Sequence, residues 1–334
     1  MRILVTGVSG FAGAMLAPEL LAAGHELRAL ARDPERAARA LAERGRVLAA
    51  TGSATPDIQA RLAGDVEVVR GDVLGGEGLR DALDGIEVAY YLIHSMESIE
   101  RGGGEQDGFP ERERLGALHF AQAAAAAGVG RIVYLGGLQP GDPTGASRHL
   151  ASRAEVERIL FAHVPDSVAL RSAIVIGARS RSFRVMVRLL ERMPALALPR
   201  WRDFRTRPID ARDVVAMLVA AAGVAGVGGR SLDVGGPEVL SYGELLGRIA
   251  TLMLLPRPAL ALGIEATALT GRVVAAVTGE DPEFILPLME GLTSDLLPAE
   301  DHAAELLGVS LHSVEAAIEC ALREWETVEP LAAR

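Results

Sequence analysis

The stretch MRILVTGVSGFAG, residues 1–13, decides the fold of this chain. Its residues 3–5 form an apolar run that predicts a buried strand, and glycines follow at positions 7, 10 and 13. Because glycine adopts positive φ and carries no Cβ, the first permits a tight turn, the second a close approach of a pyrophosphate, and the third close packing of a helix on the sheet. An apolar helical pattern and a second strand at 27–31 come next. The stretch therefore predicts a dinucleotide-binding turn, with the phosphates at a helix N-terminus.

The composition excludes several functional classes. The chain has 334 residues, of which 49% are hydrophobic, and this is ample for a buried core. A net charge of -10 and only 4% aromatic residues argue against a nucleic-acid surface, which needs clustered cations and stacking platforms. The single cysteine, Cys320, excludes an internal disulfide and a cysteine-rich metal site and fits a reducing cytosol. Strand residues begin at position 3 and the apolar runs are short, so we expect a cytoplasmic protein without a secretory leader or transmembrane segment.

The end of the second strand bears on the choice of cofactor. Arg32 stands where an acidic residue would accept hydrogen bonds from the ribose 2′-hydroxyl of NAD, and a basic residue pairs instead with the 2′-phosphate of NADP. The sequence therefore favours NADP(H) over NAD(H), with Arg36 and Arg39 as further cations. The alternative is a solvated Arg32 that opens a helix before Pro34, and the neighbouring Asp33 argues against NADP.

Strands and helices alternate along the first half of the chain. The predicted strands are at 3–5, 27–31, 66–69, 88–93, 131–135 and 167–171, and the predicted helices at 11–23, 78–83, 111–127 and 147–162. Right-handed crossovers put helices on both faces of such a sheet, so the pattern predicts an α/β fold with a Rossmann-type doubly wound parallel sheet. Residues 45–63 combine Gly52, Ser53, Thr55 and Pro56 with a short helical piece and are interpreted as a surface excursion.

The alternation ends beyond residue 176. Helices are expected at 181–192, 211–222, 241–252 and 300–324, with only short strands near 206–209 and 230–234. We therefore expect a dinucleotide-binding domain at residues 1–176. A smaller, mainly helical C-terminal region at residues 177–334 would cover the substrate and the edge of the sheet, without folding independently.

Residues that follow two of the predicted strands are site candidates, because open α/β sheets bind ligands at that edge. Asp72 follows the third strand, where a carboxylate can accept a hydrogen bond from the adenine amino group. His94 follows the fourth and is either a site residue or a histidine that hydrogen-bonds loop backbone. The glycine-rich segment 97–110 is either a lid close to the cofactor or a plain connector.

Motifs spread over most of the chain resemble one known family. They are TGVSGFAG at 6–13, GDV at 71–73, YYLIHSM at 90–96, RIVYLGGL at 131–138, HLASRAEVERIL at 149–160, RPIDARDV at 207–214 and LDVGGPEVLSYGELL at 232–246. In this order they resemble the short-chain dehydrogenase/reductase superfamily, and more narrowly its atypical branch of NmrA-like and complex I NAD(P)-binding-subunit-like proteins. With the strand ends, the resemblance implies that these residues bind the cofactor: Thr6, Gly7, Ser9, Gly10, Phe11, Ala12, Gly13, Arg32, Asp72, Val73, Leu92, Ile93, Gly136 and Arg153.

The resemblance also implies a catalytic Tyr, a Lys four residues later and a Ser or Thr at the preceding strand end. The cation lowers the pKa of the phenol so that it exchanges a proton at neutral pH. Here the corresponding helix offers His149 and Arg153 at that spacing, and glycines at 136 and 137 replace the hydroxyl residue. Tyr134 lies too early in the chain and is expected to pack within the sheet.

Three interpretations of His149 and Arg153 remain open. In the first, His149 acts as an acid and base, for which the unperturbed histidine pKa near 6.5 is suited, and is tuned by Arg153 in a pocket that His94 and residues 172–176 also line. In the second, both residues only anchor the cofactor of an NADP(H)-binding sensor, regulatory or assembly protein. In the third, they are an exposed pair on a helix surface.

The sequence as a whole favours an enzyme. We expect an NADP(H)-dependent oxidoreductase, or a redox-neutral isomerase or epimerase, that acts on a small carbonyl or hydroxyl compound.

The scattered histidines indicate no metal site. A basic run is either a solvated helix face or the receiver of an anionic substrate, and its members are Arg179, Arg181, Arg184, Arg188, Arg192, Arg200, Arg202, Arg205 and Arg207.

Overall fold

The structure is a computed structural model that describes residues 1–53, 55–93, 108–141, 147–255, 257–261 and 268–331. Its strands in chain order are β1 (Arg2–Thr6), β2 (Glu26–Ala31), β3 (Glu67–Arg70), β4 (Val88–Tyr91), β5 (Arg131–Gly137), β6 (Val168–Ser172), β7 (Val175–Ile176), β8 (Leu196–Leu198), β9 (Arg205–Thr206), β10 (Ile209–Asp210), β11 (Arg230–Val234), β12 (Leu240–Ser241) and β13 (Ala259–Ala261). Its α-helices in chain order are α1 (Phe11–Ala22), α2 (Pro34–Thr51), α3 (Pro56–Gly64), α4 (Leu79–Leu83), α5 (Phe109–Ala126), α6 (Arg148–His163), α7 (Arg181–Arg192), α8 (Ala211–Gly223), α9 (Tyr242–Leu252), α10 (Ala268–Thr278), α11 (Pro282–Glu290), α12 (Ala303–Leu306) and α13 (Val314–Glu326).

A seven-stranded parallel sheet forms the centre of the molecule, with the strand order β11-β6-β5-β4-β1-β2-β3. β1 lies inside it, with Val5 opposite Ala29 of β2 on one side and Tyr90 of β4 on the other. The chain winds outward from β1 to β3, returns to β4 and continues to the opposite edge, so the direction of winding reverses between β1 and β4. Ligands of open α/β sheets bind at the carboxyl ends beside such a reversal. The predicted Rossmann-type doubly wound sheet is confirmed.

The sheet contains one strand more than the six predicted. β11 pairs with β6 along its whole length, with Arg230 opposite Val168 and Val234 opposite Ser172. From the sequence, this run was expected to be a short strand of the helical C-terminal region, because a five-residue strand carries no signal of its partner. The C-terminal half of the chain therefore supplies one edge of the main sheet.

Residues 45–51 end α2 and residues 56–63 belong to α3, so this stretch holds more helix than the short piece that the surface excursion was expected to contain. α2 continues to Thr51, and Gly52 ends it with a φ of 66°. Thr55 caps α3 by accepting a hydrogen bond from the Ile58 N–H at 3.4 Å, and Pro56 begins that helix. The residues interpreted as loop formers are thus the C-cap of one helix and the N-cap of the next.

Helices cover both faces of the sheet. On one face, Leu16 of α1 and Leu218 of α8 share an apolar cluster with Val5 of β1. On the other, Phe120 of α5 and Ile159 of α6 pack with the neighbouring Leu4. Alternate residues of β1 thus enter opposite layers, as burial on both faces of a parallel strand requires.

The C-terminal helices add a core of their own. Leu190 of α7, Leu245 of α9 and Ile318 of α13 belong to one buried apolar cluster that is distinct from those on the sheet. The helix predicted at 300–324 is two helices, α12 and α13, and sequence analysis did not predict α10 and α11. Among the described residues, no helix is both long and apolar enough to cross a membrane.

Candidate active site

The glycine turn between β1 and α1 has the geometry that the sequence predicts. Gly7 has a φ of 71°, and the Gly10 N–H donates to the Gly7 carbonyl oxygen at 2.9 Å. A Cβ on Gly7 would lie 2.8 Å from the carbonyl oxygen of Leu92, and a Cβ on Gly13 would collide with the carbonyl oxygen of Gly7. α1 begins directly after Gly10, and helix geometry leaves the N–H groups of its first turn without intrahelical acceptors. With the positive end of the helix dipole, these groups form a position suited to an anion.

Thr6 joins the two strands that flank this turn. Its hydroxyl donates to the carbonyl oxygen of Tyr90 at 2.9 Å and accepts from the Leu92 N–H at 2.9 Å. The Thr6 side chain is fully buried, so these two hydrogen bonds are made away from water. Thr6 therefore holds the ends of β1 and β4 together, where the winding of the sheet reverses.

A cavity of about 220 Å³ lies beside the glycine turn at the carboxyl edge of the sheet. The turn itself, the residues at the ends of β4, β5 and β6, and helices α6, α7, α8 and α11 contribute to its wall. The lining residues are Gly7, Gly10, Phe11, Ala12, Met15, Leu92, Leu135, Gly136, Gly137, His149, Arg153, Ser172, Ala173, Val175, Ser180, Arg181, Ser182, Ala211, Val214, Val215, Phe284 and Leu288.

Part of the set of site residues expected from the sequence comes together in this cavity. The members that line it are Gly7, Gly10, Phe11, Ala12, Leu92, Gly136, His149 and Arg153. The described members that lie outside its lining are Thr6, Ser9, Gly13, Arg32, Asp72, Val73 and Ile93. His94 and most of the segment 97–110 lie outside the described residues.

Arg32 and Asp33 follow β2 and differ in their contacts. Arg32 is exposed and makes no hydrogen bond or ion pair within the described part of the chain. Asp33 is the N-cap of α2, and its Oδ1 accepts a hydrogen bond from the Arg36 N–H at 2.9 Å. The carboxylate of Asp33, which argued against NADP in the sequence, therefore caps α2.

Asp72 and Val73 lie in a turn that follows β3. The Asp72 Oδ1 accepts from the Leu74 N–H at 3.0 Å, and the Val73 carbonyl oxygen lies 3.0 Å from Nδ1 of His119. One carboxylate oxygen of Asp72 thus stabilises the turn in which the residue lies, as is common for aspartate at such positions.

His149 reaches the cavity from the first turn of α6. Its Nδ1 atom is buried and has no hydrogen-bond partner within the described residues. Burial, and to a smaller extent the positive charge of Arg153, lower the pKa of this imidazole from its unperturbed value near 6.5 to about 3. His149 is therefore neutral at physiological pH. The interpretation as an exposed helix pair was wrong, because Arg153 is only 5% exposed.

Arg153 lies one helical turn further along α6, over a buried carboxylate. Its Nη2 is 3.8 Å from Oε1 of Glu113, which belongs to α5. The other oxygen of Glu113 accepts a hydrogen bond from the Ser152 hydroxyl at 2.7 Å. Glu113 is 4% exposed, so this acidic group lies in the interior beside the arginine. A permanent cation at the cavity wall is thereby balanced by a carboxylate that does not line it.

Tyr134 explains why glycine stands at the end of β5, where the resemblance implies a hydroxyl residue. The Tyr134 ring is buried in the sheet as expected, and its hydroxyl donates to the Arg153 carbonyl oxygen at 3.4 Å. A Cβ on Gly136 would lie 2.9 Å from this ring. Burial raises the pKa of Tyr134 to about 12, so this phenol is no substitute for the missing catalytic tyrosine.

Sequence analysis missed the wall of the cavity that the C-terminal region supplies. Phe284 and Leu288 lie one turn apart on α11. Pro282 occupies the first turn of this helix, where a missing N–H costs nothing. Ser180 was visible as a serine just before a helical apolar pattern, which is an N-cap signal.

The basic run at 179–207 is largely paired with carboxylates. Arg184 and Arg188 both contact Oε1 of Glu329, at 2.9 and 2.8 Å. Other members are paired as well: Arg205 with Asp295, and Arg207 with Asp301. Arg181 is the member of the run that lines the cavity, among the residues described.

Comparison with known proteins gives a family and a fold. The model of a family described as the NAD dependent epimerase/dehydratase family matches residues 3–235. The curated protein (4-alkanoyl-5-oxo-2,5-dihydrofuran-3-yl)methyl phosphate reductase of Streptomyces griseus subsp. griseus is 28% identical over 269 residues, which are 79% of this chain and 78% of that protein.

Two solved structures show the same fold over their whole length. The Citrobacter sp. triphenylmethane reductase complexed with NADP(H) is 16% identical with a TM-score of 0.69, covering 96% of this chain and 100% of that one. The UDP-glucuronic acid 4-epimerase from Bacillus cereus in complex with NAD is 16% identical with a TM-score of 0.67, covering 98% of this chain and 97% of that one. The coenzyme thus differs between proteins that share this fold.

Proposed function

The chain belongs to the NAD dependent epimerase/dehydratase family, and on that premise we propose that it is an NADP(H)-dependent oxidoreductase of small carbonyl or hydroxyl compounds. The family lies within the extended and atypical short-chain dehydrogenase/reductases, so the resemblance of the sequence motifs to that superfamily is confirmed. One observation carries the proposal. A single cavity joins the anion-binding turn of α1 to the His149 and Arg153 side chains of α6.

The residues of this cavity fit a nicotinamide coenzyme. Gly7 and Gly13 leave no room for a Cβ, and the start of α1 offers unsatisfied N–H groups to a pyrophosphate. The buried Nδ1 of His149, without a partner in the described chain, is a polar atom that a bound ligand would satisfy. The coenzyme supplies the hydride-transfer chemistry when bound. The exposed, unpaired Arg32 supports NADP(H) over NAD(H), since it is free to meet a 2′-phosphate.

His149 and Arg153 would act on the oxygen of the substrate. A neutral imidazole carries a proton on one nitrogen and accepts at the other, so His149 orients and polarises a carbonyl or hydroxyl group without changing its own charge. The guanidinium of Arg153 is permanently charged and stabilises negative charge that develops on that oxygen. Its position is fixed before the substrate arrives, since Glu113 lies behind it in the interior.

The name of the Streptomyces relative adds a hint about the substrate. That protein is described as the reductase of a methyl phosphate compound. We therefore favour a small, anionic compound as the substrate that this protein reduces.

Consumption of NADPH by the purified protein tests the proposal. A panel of small aldehydes, ketones and 2-oxoacids, each with and without a phosphate group, should contain compounds that are reduced at a rate depending on His149 and Arg153. His149→Ala and Arg153→Gln should each lower turnover by at least about tenfold, as the loss of one polar contact to the reacting oxygen does. Unchanged turnover of a true substrate by both variants would remove these residues from the reaction.

A second candidate function is a non-catalytic NADP(H)-binding sensor, regulatory or assembly protein. The low pKa of His149 favours it, because a histidine that stays neutral is a weak proton donor. Such a protein would bind NADP⁺ and NADPH with different affinities and would turn over none of the panel.

A further inference from the structure

The cavity is cationic in a chain that is acidic overall. Its described lining includes Arg153 and Arg181 and no Asp or Glu, although the chain has 44 acidic and 34 basic residues. Each guanidinium has a carboxylate nearby, Glu113 at 3.8 Å and Glu280 at 2.7 Å, yet neither carboxylate lines the cavity. A space lined in this way attracts anions and excludes cations.

The N-terminus of α7 forms part of the same wall and has an unsatisfied cap. Ser180 is its N-cap, lines the cavity and is 7% exposed, but its hydroxyl makes no hydrogen bond within the described chain. Other helices have a Ser, Thr or Asp N-cap that accepts from the first turn, namely Asp33, Thr55, Ser147, Asp210, Ser241, Asp281 and Ser313. The hydroxyl of this cap is therefore free to hydrogen-bond a ligand in the cavity. The first-turn N–H groups of this 12-residue helix lack a side-chain cap as well.

Arg181 is held at this wall by contacts that a ligand can share. Its Cζ lies 3.7 Å from the ring centroid of Phe284, which also lines the cavity. Its Nε and Nη2 both donate to one oxygen of Glu280, at 3.2 and 2.7 Å. The pair is therefore not bidentate, and the Nη1 group of Arg181 has no partner among the described residues.

We infer that Arg181, the Ser180 hydroxyl and the first-turn amides of α7 form a subsite for an anionic group of the substrate, either phosphate or carboxylate. The inference rests on the proposed function, since it assigns the rest of that substrate to the space beside His149 and Arg153. Arg and a helix N-terminus together offer the donors that an oxyanion needs. Glu280 competes with the substrate for the guanidinium, so the subsite discriminates against weakly charged groups.

Calorimetry of the protein saturated with NADP⁺ tests this subsite without requiring turnover. The probes are matched pairs of equal size, dihydroxyacetone phosphate with dihydroxyacetone, and 2-oxobutanoate with 2-butanone. We expect the charged member of at least one pair to bind about tenfold or more tightly than its neutral partner, as a charge-assisted hydrogen bond allows. The pair that shows the preference identifies the anion.

Three variants separate a binding role of Arg181 from a structural one. Arg181→Gln should abolish the preference for the charged probe, whereas Glu280→Gln should strengthen it, because the competing carboxylate is removed. If the ion pair only held α7 to the segment before α11, both variants would weaken binding alike. Arg184→Gln is the matched control, since it removes the same charge from the same helix outside the cavity and should leave the preference intact.

Several outcomes would overturn the subsite. They are equal binding of charged and neutral probes, no binding of either anion at about 10 mM, and an unchanged preference in Arg181→Gln. A loss of NADP⁺ affinity in Arg181→Gln with the probe preference intact would reassign the residue to the coenzyme. Failure of the proposed oxidoreductase activity looks different, because it would leave the probe preference in place and show only as absent turnover.

Discussion

The carboxylate of Asp33 accepts a hydrogen bond from the backbone N–H of Arg36 at 2.9 Å. It therefore caps α2, and the position beside the end of β2 is left to the exposed Arg32. In a Rossmann-type sheet the residue at the end of the second strand meets the adenosine ribose, and an acidic or basic side chain there separates NAD from NADP. The pairing of Asp33 with its own helix thus leaves the exposed Arg32 as the residue that would meet the ribose in the proposed function.

Substitution of Arg32 should change the coenzyme preference. Arg32→Gln is expected to weaken NADPH binding by about tenfold or more, the worth of one charge-assisted hydrogen bond, and to leave NADH binding nearly unchanged. Isothermal titration calorimetry with both coenzymes measures this. Asp33→Ala is the control, since loss of the cap should cost about 1 kcal/mol of stability without altering the preference. Tighter binding of NADH than NADPH by the unsubstituted protein would contradict the assignment.

The buried carboxylate of Glu113 should matter for stability more than surface acidic residues do. Glu113→Gln leaves Arg153 without its interior counter-charge, and breaking a buried pair from one side costs about 3–5 kcal/mol. Ser152→Ala removes only the donor to Glu113 and should cost about 1–3 kcal/mol. Urea unfolding followed by circular dichroism measures both. Equal, small effects of the two variants would mean that water or other groups already compensate the charge.

A serine at position 136 should not restore the hydroxyl that the family uses. Its Cβ would lie 2.9 Å from the Tyr134 ring, so Gly136→Ser is expected to lower the free energy of unfolding by about 1–3 kcal/mol, as overpacking does. Gly137→Ala meets only the end of the flexible Leu150 side chain at 3.0 Å and should cost less. Combining Gly136→Ser with Tyr134→Leu should recover part of the loss, and additive costs in this double-mutant cycle would show that the ring is not the obstacle.

The N-terminal half of the fold was predictable because its signals are local. An apolar run, a glycine turn and an apolar helical pattern specify β1, Gly7 and α1 without reference to the rest of the chain. β11 was expected as a short strand of the C-terminal region and not as part of the main sheet, because its place beside β6 depends on contacts between residues far apart in sequence. α3 was expected only as a short helical piece within a surface excursion, because helix caps and loop formers share one set of residue types.

The candidate site, too, was predictable where its signals are local and not where it depends on the packing of distant helices. His149 and Arg153 were found because their spacing on one helix places them on one face, beside the strand ends that any Rossmann-type sheet presents. Ser180 and Phe284 enter the cavity from C-terminal helices whose docking is set by apolar packing around residues such as Leu190. The lowered pKa of His149 could not be predicted from the sequence, because burial, the main cause of its shift, is a property of the folded chain.

The low pKa of His149 should make the protein sensitive to acid. In the folded state this imidazole stays neutral down to about pH 3, whereas in the unfolded chain it binds a proton below about pH 6.5. Between these values the unfolded state holds one more proton, so the free energy of unfolding falls as the pH falls. His149→Gln removes this proton uptake. Between about pH 7 and pH 5, the free energy of unfolding of this variant should therefore fall by roughly 2 kcal/mol less than that of the unsubstituted protein. Urea unfolding at about pH 7, 6 and 5 measures the two slopes. Parallel slopes would show that His149 takes up a proton in the folded state as readily as in the unfolded one, and would revive its role as a titrating acid and base.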